Sequence, residues 1–149
     1  MPQQRHTSAI EPSEDQIKRI LIGRREKTGT AVSWIRDGLP LASIQRLQQH
    51  LQIEQEDAIL KLLGLSLRTY QRRKKEHKPL DPITSDRLYR LAKITARATE
   101  VLSDQATAVD WLKSPNRALA AKPIELLDTE AGADMVERVL TRIEYGVYS

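Results

Sequence analysis

Residues 64–80 read GLSLRTYQRRKKEHKPL and hold six Arg or Lys side chains. Leu65, Leu67 and Tyr70 stand among them, so a helix here has an apolar side as well as a charged one. Arg68, Thr69, Gln71 and Arg72 fall on the outward face near the helix start, and Arg73, Lys74 and Lys75 continue along it. These residue types suit nucleic acid. Arg makes a bidentate pair with guanine O6 and N7, Gln does the same with adenine, and Lys mainly offsets phosphate charge. Taken alone, a basic amphipathic helix is more often plain solvated surface, and cations are favoured at any helix C-terminus. The flanking sequence turns the reading toward DNA.

Residues 54–63 place Ala58, Ile59, Leu62 and Leu63 at helical spacing, facing inward. Gly64 then suits the corner of a tight turn, and Ser66 suits the N-cap of the basic helix. Helix, Gly corner and second helix make a helix-turn-helix over residues 54–76, with Leu63, Leu65 and Tyr70 as its apolar anchors. In that motif the second helix lies in the major groove.

The rest of the chain predicts further helices. Residues 1–15 lack periodicity and read as a mobile N-terminal arm. A helix follows through Ile17, Ile20 and Leu21, and Thr30 caps another over residues 31–37 that Gly38 ends. Leu41, Ile44, Leu47 and Leu51 form the next stripe. Asp81-Pro82 opens a long helix to about Ser103, and residues 104–113 form a shorter one carrying Leu112 and Trp111, a core anchor. Thr129 caps a last helix through Val136, Val139, Leu140 and Ile143. No stretch alternates with period two. The pattern predicts an all-α fold: a DNA-binding part over residues 16–80, and a second helical domain over residues 81–149.

Charge supports a division of labour. The chain of 149 residues carries +4 overall, distributed as +3, +4 and −3 over residues 1–50, 51–100 and 101–149. A basic middle and an acidic end mark a nucleic-acid-binding part joined to a part with another task. The absence of Cys excludes disulfides, thiolate metal sites and Cys nucleophiles. His6, His50 and His77 are too scattered to pair on one helix as metal ligands, and no Gly-rich phosphate loop is present. No catalytic residue, metal or cofactor is expected. With no signal peptide and no apolar run near membrane-span length, the expected setting is the cytoplasm, away from membranes.

A dense signature lies in the last third. Trp111-Leu112, Pro115-Asn116, Ala118-Leu119, Pro123, Leu126-Leu127-Asp128-Thr129, Gly132, Val136 and the ending from Arg142 through Ile143, Glu144, Tyr145, Gly146 and Val147 to Tyr148 resemble the C-terminal domain of bacterial Xre/MbcA/ParS-type antitoxins. The resemblance is strongest to those paired with RES-domain toxins. Upstream, Gly64-Leu65-Ser66, Arg68-Thr69-Tyr70, Arg72-Arg73-Lys74 and Ser85-Asp86-Arg87-Leu88 resemble the family's helix-turn-helix and the start of its long helix.

The resemblance, from about residue 30 to the end, implies an antitoxin of a type II toxin–antitoxin module. One part would bind double-stranded operator DNA and repress its own operon. The other would bind and neutralise a RES-domain toxin, an NAD-consuming enzyme similar to ADP-ribosyltransferases. The enzyme is then the partner, and this chain is not one. A single helix-turn-helix has a small footprint, which predicts a homodimer on a palindromic site. One feature departs from the family: many relatives carry a Gly-Gly turn after Ala-Leu, whereas Ala120-Ala121-Lys122 here leads straight to Pro123. A turn without Gly is expected to avoid φ > 0.

Residues 145–149 keep two Tyr and a Val on a Gly-hinged end, where chain tips are usually polar and frayed. Such an end suits a tail that docks. The candidate toxin contacts are Glu137, Arg138, Thr141, Glu144, Tyr145, Gly146, Val147, Tyr148 and Ser149. The tail would occlude the NAD cleft, with Glu137 and Glu144 pairing with cations that serve NAD phosphates. The candidate DNA contacts are Ser66, Arg68, Thr69, Gln71, Arg72, Arg73, Lys74 and Lys75. The alternative is a stand-alone helix-turn-helix regulator whose C-terminal domain only dimerises.

Overall fold

Six helices begin on a side chain suited to the task. Ser13, Thr30, Ser66, Asp81, Asp104 and Thr129 each accept a hydrogen bond from the backbone N–H three residues on. That satisfies a donor which a helix start would otherwise leave unpaired. The structure, a computed structural model, describes residues 11–23 and 28–146. Among these residues it contains eight α-helices, a 3-10 turn over Pro123–Leu126 and no extended sheet. The helices are α1 (Glu14–Leu21), α2 (Ala31–Asp37), α3 (Ala42–His50), α4 (Glu56–Leu63), α5 (Leu67–Glu76), α6 (Pro82–Leu102), α7 (Gln105–Lys113) and α8 (Glu130–Glu144).

Three local expectations need correction. Helix α1 starts inside the segment read as an arm, because Ser13 and Gln16 form a reciprocal capping box. Residues 1–10 of that segment lie outside the described residues. On α4, Ala58 is exposed and Leu60 takes the inward place beside Ile59 and Leu63. The turn before Pro123 does not avoid the left-handed region: Ala120 adopts φ 53°. Asn116 closes this turn. Its N–H donates to the Ala121 carbonyl at 2.9 Å, and its Oδ1 accepts from Leu119 N–H at 3.2 Å. An L-residue takes that conformation at a cost of about 1 kcal/mol.

Helix α6 is the spine, with 21 residues spanning roughly 30 Å. Helices α1, α2 and α4 pack on it from the N-terminal part, and α7 and α8 from the C-terminal part. Residues 94–98 of α6 are all buried, so the helix is enclosed on every side there. The core rests mainly on aliphatic side chains, among them Ile17, Leu21, Ile44, Leu47, Leu88, Leu91 and Leu140, with Trp34 and Tyr70 as buried rings. At the start of α6, Leu80 N–H donates to the Leu39 carbonyl at 2.9 Å, and Leu39 N–H donates to Ser85 Oγ at 2.8 Å. These bonds tie the α2–α3 and α5–α6 connections together. At the start of α8, a Cβ on Gly132 would lie 1.9 Å from the Leu126 carbonyl oxygen, so only Gly allows this close approach.

Candidate functional site

The basic helix α5 is held down on one side. Tyr70 is 2% exposed, and Leu63 and Leu65 are buried beside it. Gly64 closes α4 at φ 64°, in the left-handed conformation that the corner requires. Burial, aided by the charge of Glu56, pushes the Tyr70 phenol above its ordinary pKa and keeps it neutral. Arg68, Gln71, Arg72 and Lys75 are all exposed and project away from this anchor. Ser66 caps the helix, and its Oγ donates to Thr69 Oγ1 at 2.9 Å. Lys74 lies 5.9 Å from the centroid of the Tyr70 ring.

Arg73 has a different position from its neighbours. It is half-buried, donates through Nη1 to the Pro79 carbonyl at 3.0 Å, and lies 3.9 Å from Asp81. It fastens the loop after α5. Burial raises the Asp81 pKa, but hydrogen bonds from Thr84, with Arg73 nearby, outweigh this and hold the carboxyl below its ordinary range. Arg87 on α6, which residue-type reasoning did not single out for a role, donates to the Leu63 carbonyl at 3.1 Å. It thereby satisfies the last turn of α4 directly behind the Gly64 corner.

The second candidate region lies on α8. Ala133, Val136 and Leu140 face the core. Thr141 and Glu144 turn toward α6, where Arg97 is fully buried. Arg97 Nη1 pairs with Glu144 Oε2, and Nη2 donates to Thr141 Oγ1 at 3.2 Å. Glu137 is half-buried, and burial, with Glu11 adding, raises its carboxyl pKa against the opposing pull of Lys93 and Arg97. Lys93 itself pairs with Glu11 at 3.5 Å. Of the two carboxylates expected to reach a partner, Glu144 is therefore paired with the protein's own Arg97, and Glu137 is half-buried among charges of both signs. The one signal of this in the sequence is Arg97 itself, and helical spacing does not distinguish a buried Arg from a surface one.

Arg138 is exposed, and Tyr145 is 46% exposed at the end of α8. Gly146 follows at φ 69°, with open space around it. Val147, Tyr148 and Ser149 lie outside the described residues. Trp111, expected in the core, is half-buried and packs against its edge. Among the described residues no group of three or more His, Asp or Glu could hold a metal ion.

Fold and site together define a helix-turn-helix protein whose basic second helix, α5, is joined through one long helix to a second helical domain. Residues 31–93 match the family described as the antitoxin Xre-like helix-turn-helix domain. Residues 97–146 match the antitoxin Xre/MbcA/ParS C-terminal toxin-binding domain. The chain is 31% identical to Antitoxin Xre of Photorhabdus laumondii over 117 residues, covering 77% of this chain and 78% of that protein. It is 36% identical to Antitoxin Xre of Pseudomonas putida over 83 residues, 55% of this chain and 52% of that one. It is also 26% identical over 125 residues to a Sphingobium protein named Prs ADP-ribosylating antitoxin, covering 77% and 78%. The chain belongs to the Xre antitoxin family and is an antitoxin of a toxin–antitoxin system.

Proposed function

We propose that this antitoxin neutralises a RES-domain, NAD-consuming toxin through the end of α8 and the tail that follows, and represses its own operon by binding operator DNA through α5. It acts as a cytoplasmic homodimer. Arg68, Gln71 and Arg72 read base edges, Lys74 and Lys75 offset phosphates, and Ser66, Thr69 and Arg73 hold the helix and its loop in place. At the other site, Arg138 and the segment from Tyr145 through Gly146 to Val147, Tyr148 and Ser149 contact the toxin. Thr141, Glu144 and Glu137 set the heading of α8 from below.

The observation that supports this most directly is the separation of the two regions along one rigid element. Asp81, beside the α5 loop, and Arg97, beneath the end of α8, are 16 residues apart on the spine, about 24 Å. DNA and toxin therefore have separate surfaces on one body. The resemblance to RES-paired antitoxins supplies the class of toxin, and the relative named for ADP-ribosylation fits an enzyme that acts on NAD. No helix among the described residues is long and apolar enough to cross a membrane, which accords with a cytoplasmic setting.

The test is co-expression with the product of the adjacent gene, expected on this reading to be a RES-domain enzyme, followed by purification and a promoter-binding assay. A stable complex that removes NAD-consuming activity and still shifts the promoter is the expected result. Promoter binding with no complex would instead favour the stand-alone regulator.

A further inference from the structure

Helix α8 carries a second stripe, opposite its core face. Ala131, Met135, Arg138, Arg142 and Tyr145 are spaced by four, three, four and three residues, and all five are exposed. That spacing aligns them along one side of a helix for about 21 Å. Met135 and Tyr145 are apolar groups left 43% and 46% exposed, and the two Arg lie between them. Met, Arg and Tyr are the side chains enriched in interface cores, and Tyr and Arg are frequent hot spots.

We infer that this stripe is the docking face for the toxin, and that the surface it enters is an acidic groove with an apolar seat at each end. The inference rests on the toxin-binding reading above and names the chemistry of that contact. It reverses the sign expected from the acidic C-terminal third. Glu144 is taken up by Arg97 and Glu137 is half-buried, so the charged side chains on the stripe itself are Arg138 and Arg142, with the exposed Asp134 flanking Arg138. An amphipathic helix laid in a groove is a common recognition mode, with anchors at these spacings.

A second copy of this chain is the poorer occupant. Around a two-fold axis at the middle of the stripe, Arg138 would meet Arg138 of the copy, with Arg142 of each chain one turn away. Like charges brought together this way cost several kcal/mol. The stripe also runs directly into Tyr145, the root of the tail proposed to enter the NAD cleft.

The experiment uses the full chain and the purified RES-domain enzyme, with affinity measured at low and high salt. The double variant R138E/R142E should bind at least about 100-fold more weakly than the parent. The parent's affinity should fall with added salt, and this dependence should be lost in the variant. Arg142→Gln is the milder change and should weaken binding by about 10-fold with an unchanged melting curve. Double-variant binding within about threefold of the parent's overturns the inference. So does a change in the variant's own oligomeric mass, which would assign the face to a second copy. If the parent itself does not bind the enzyme while still binding its promoter, the toxin-binding reading fails and this inference falls with it.

Discussion

A guanidinium removed from water costs several kcal/mol unless it is paired, and at Arg97 the pairing comes from Glu144 and Thr141. Arg97→Ala leaves a carboxylate beside a cavity and should destabilise the fold by about 3–5 kcal/mol in urea unfolding. The paired change R97M/E144L should recover most of that loss, because matched apolar groups replace a buried ion pair at little cost. Ala120 permits a gain in the other direction. Its left-handed backbone is natural for Gly, so Ala120→Gly should raise stability by about 0.5–1 kcal/mol, seen as a higher Tm. The present chain thus meets a Gly-like conformation at this turn with an Ala, under strain. Neither effect was legible in the sequence. Position on a helix does not reveal that an Arg lies beneath a neighbouring helix, and the pull of Asn116 on the turn emerges only from the backbone pairing.

At the scale of elements, local chemistry was informative. Thr30, Ser66, Asp81 and Thr129 cap the helices expected from their types, and Gly38 and Gly64 end α2 and α4. Which face of α4 turned inward was less clear, since Ala58 and Leu60 both suit a helix and only packing against α3 and the spine separates them. For α5, Arg72→Ala should cost about 1–3 kcal/mol of operator binding and relax preference at one base pair. Lys75→Ala should weaken binding to all sequences and flatten its salt dependence. Titrating the promoter with both variants at several salt concentrations checks the assignment; parent-like curves from both would refute it. Helix α8 has its own pH signature. Glu137 has a folded-state pKa raised by burial, so its ionised form is unfavourable above that pKa, and the penalty disappears as pH falls below the ordinary value of 4.5. Glu137→Gln should therefore raise Tm at pH 7, and the gain should shrink to nothing in acid.

The whole molecule joins its two parts through contacts that bridge the spine. Lys113 on α7 donates to the Gln52 carbonyl after α3 at 2.7 Å, and Gln105 lies 3.4 Å from the imidazole of His50. One body therefore presents both the basic helix α5 and the end of α8, while pairing of two chains would set the distance between half-sites. That spacing should be about 34 Å or a multiple of it, and footprinting together with light scattering would show it. A strictly monomeric mass with one isolated half-site would contradict the homodimer. The central claim is that the tail beyond α8 silences the enzyme, and its most direct test is a chain lacking residues 145–149, compared with the parent in an NAD-consumption assay with the RES-domain enzyme at equimolar ratio. The truncated chain should keep its helical content and operator affinity yet leave NAD consumption unchecked. Full suppression by the truncated chain would contradict the account and assign inhibition to the body of α8.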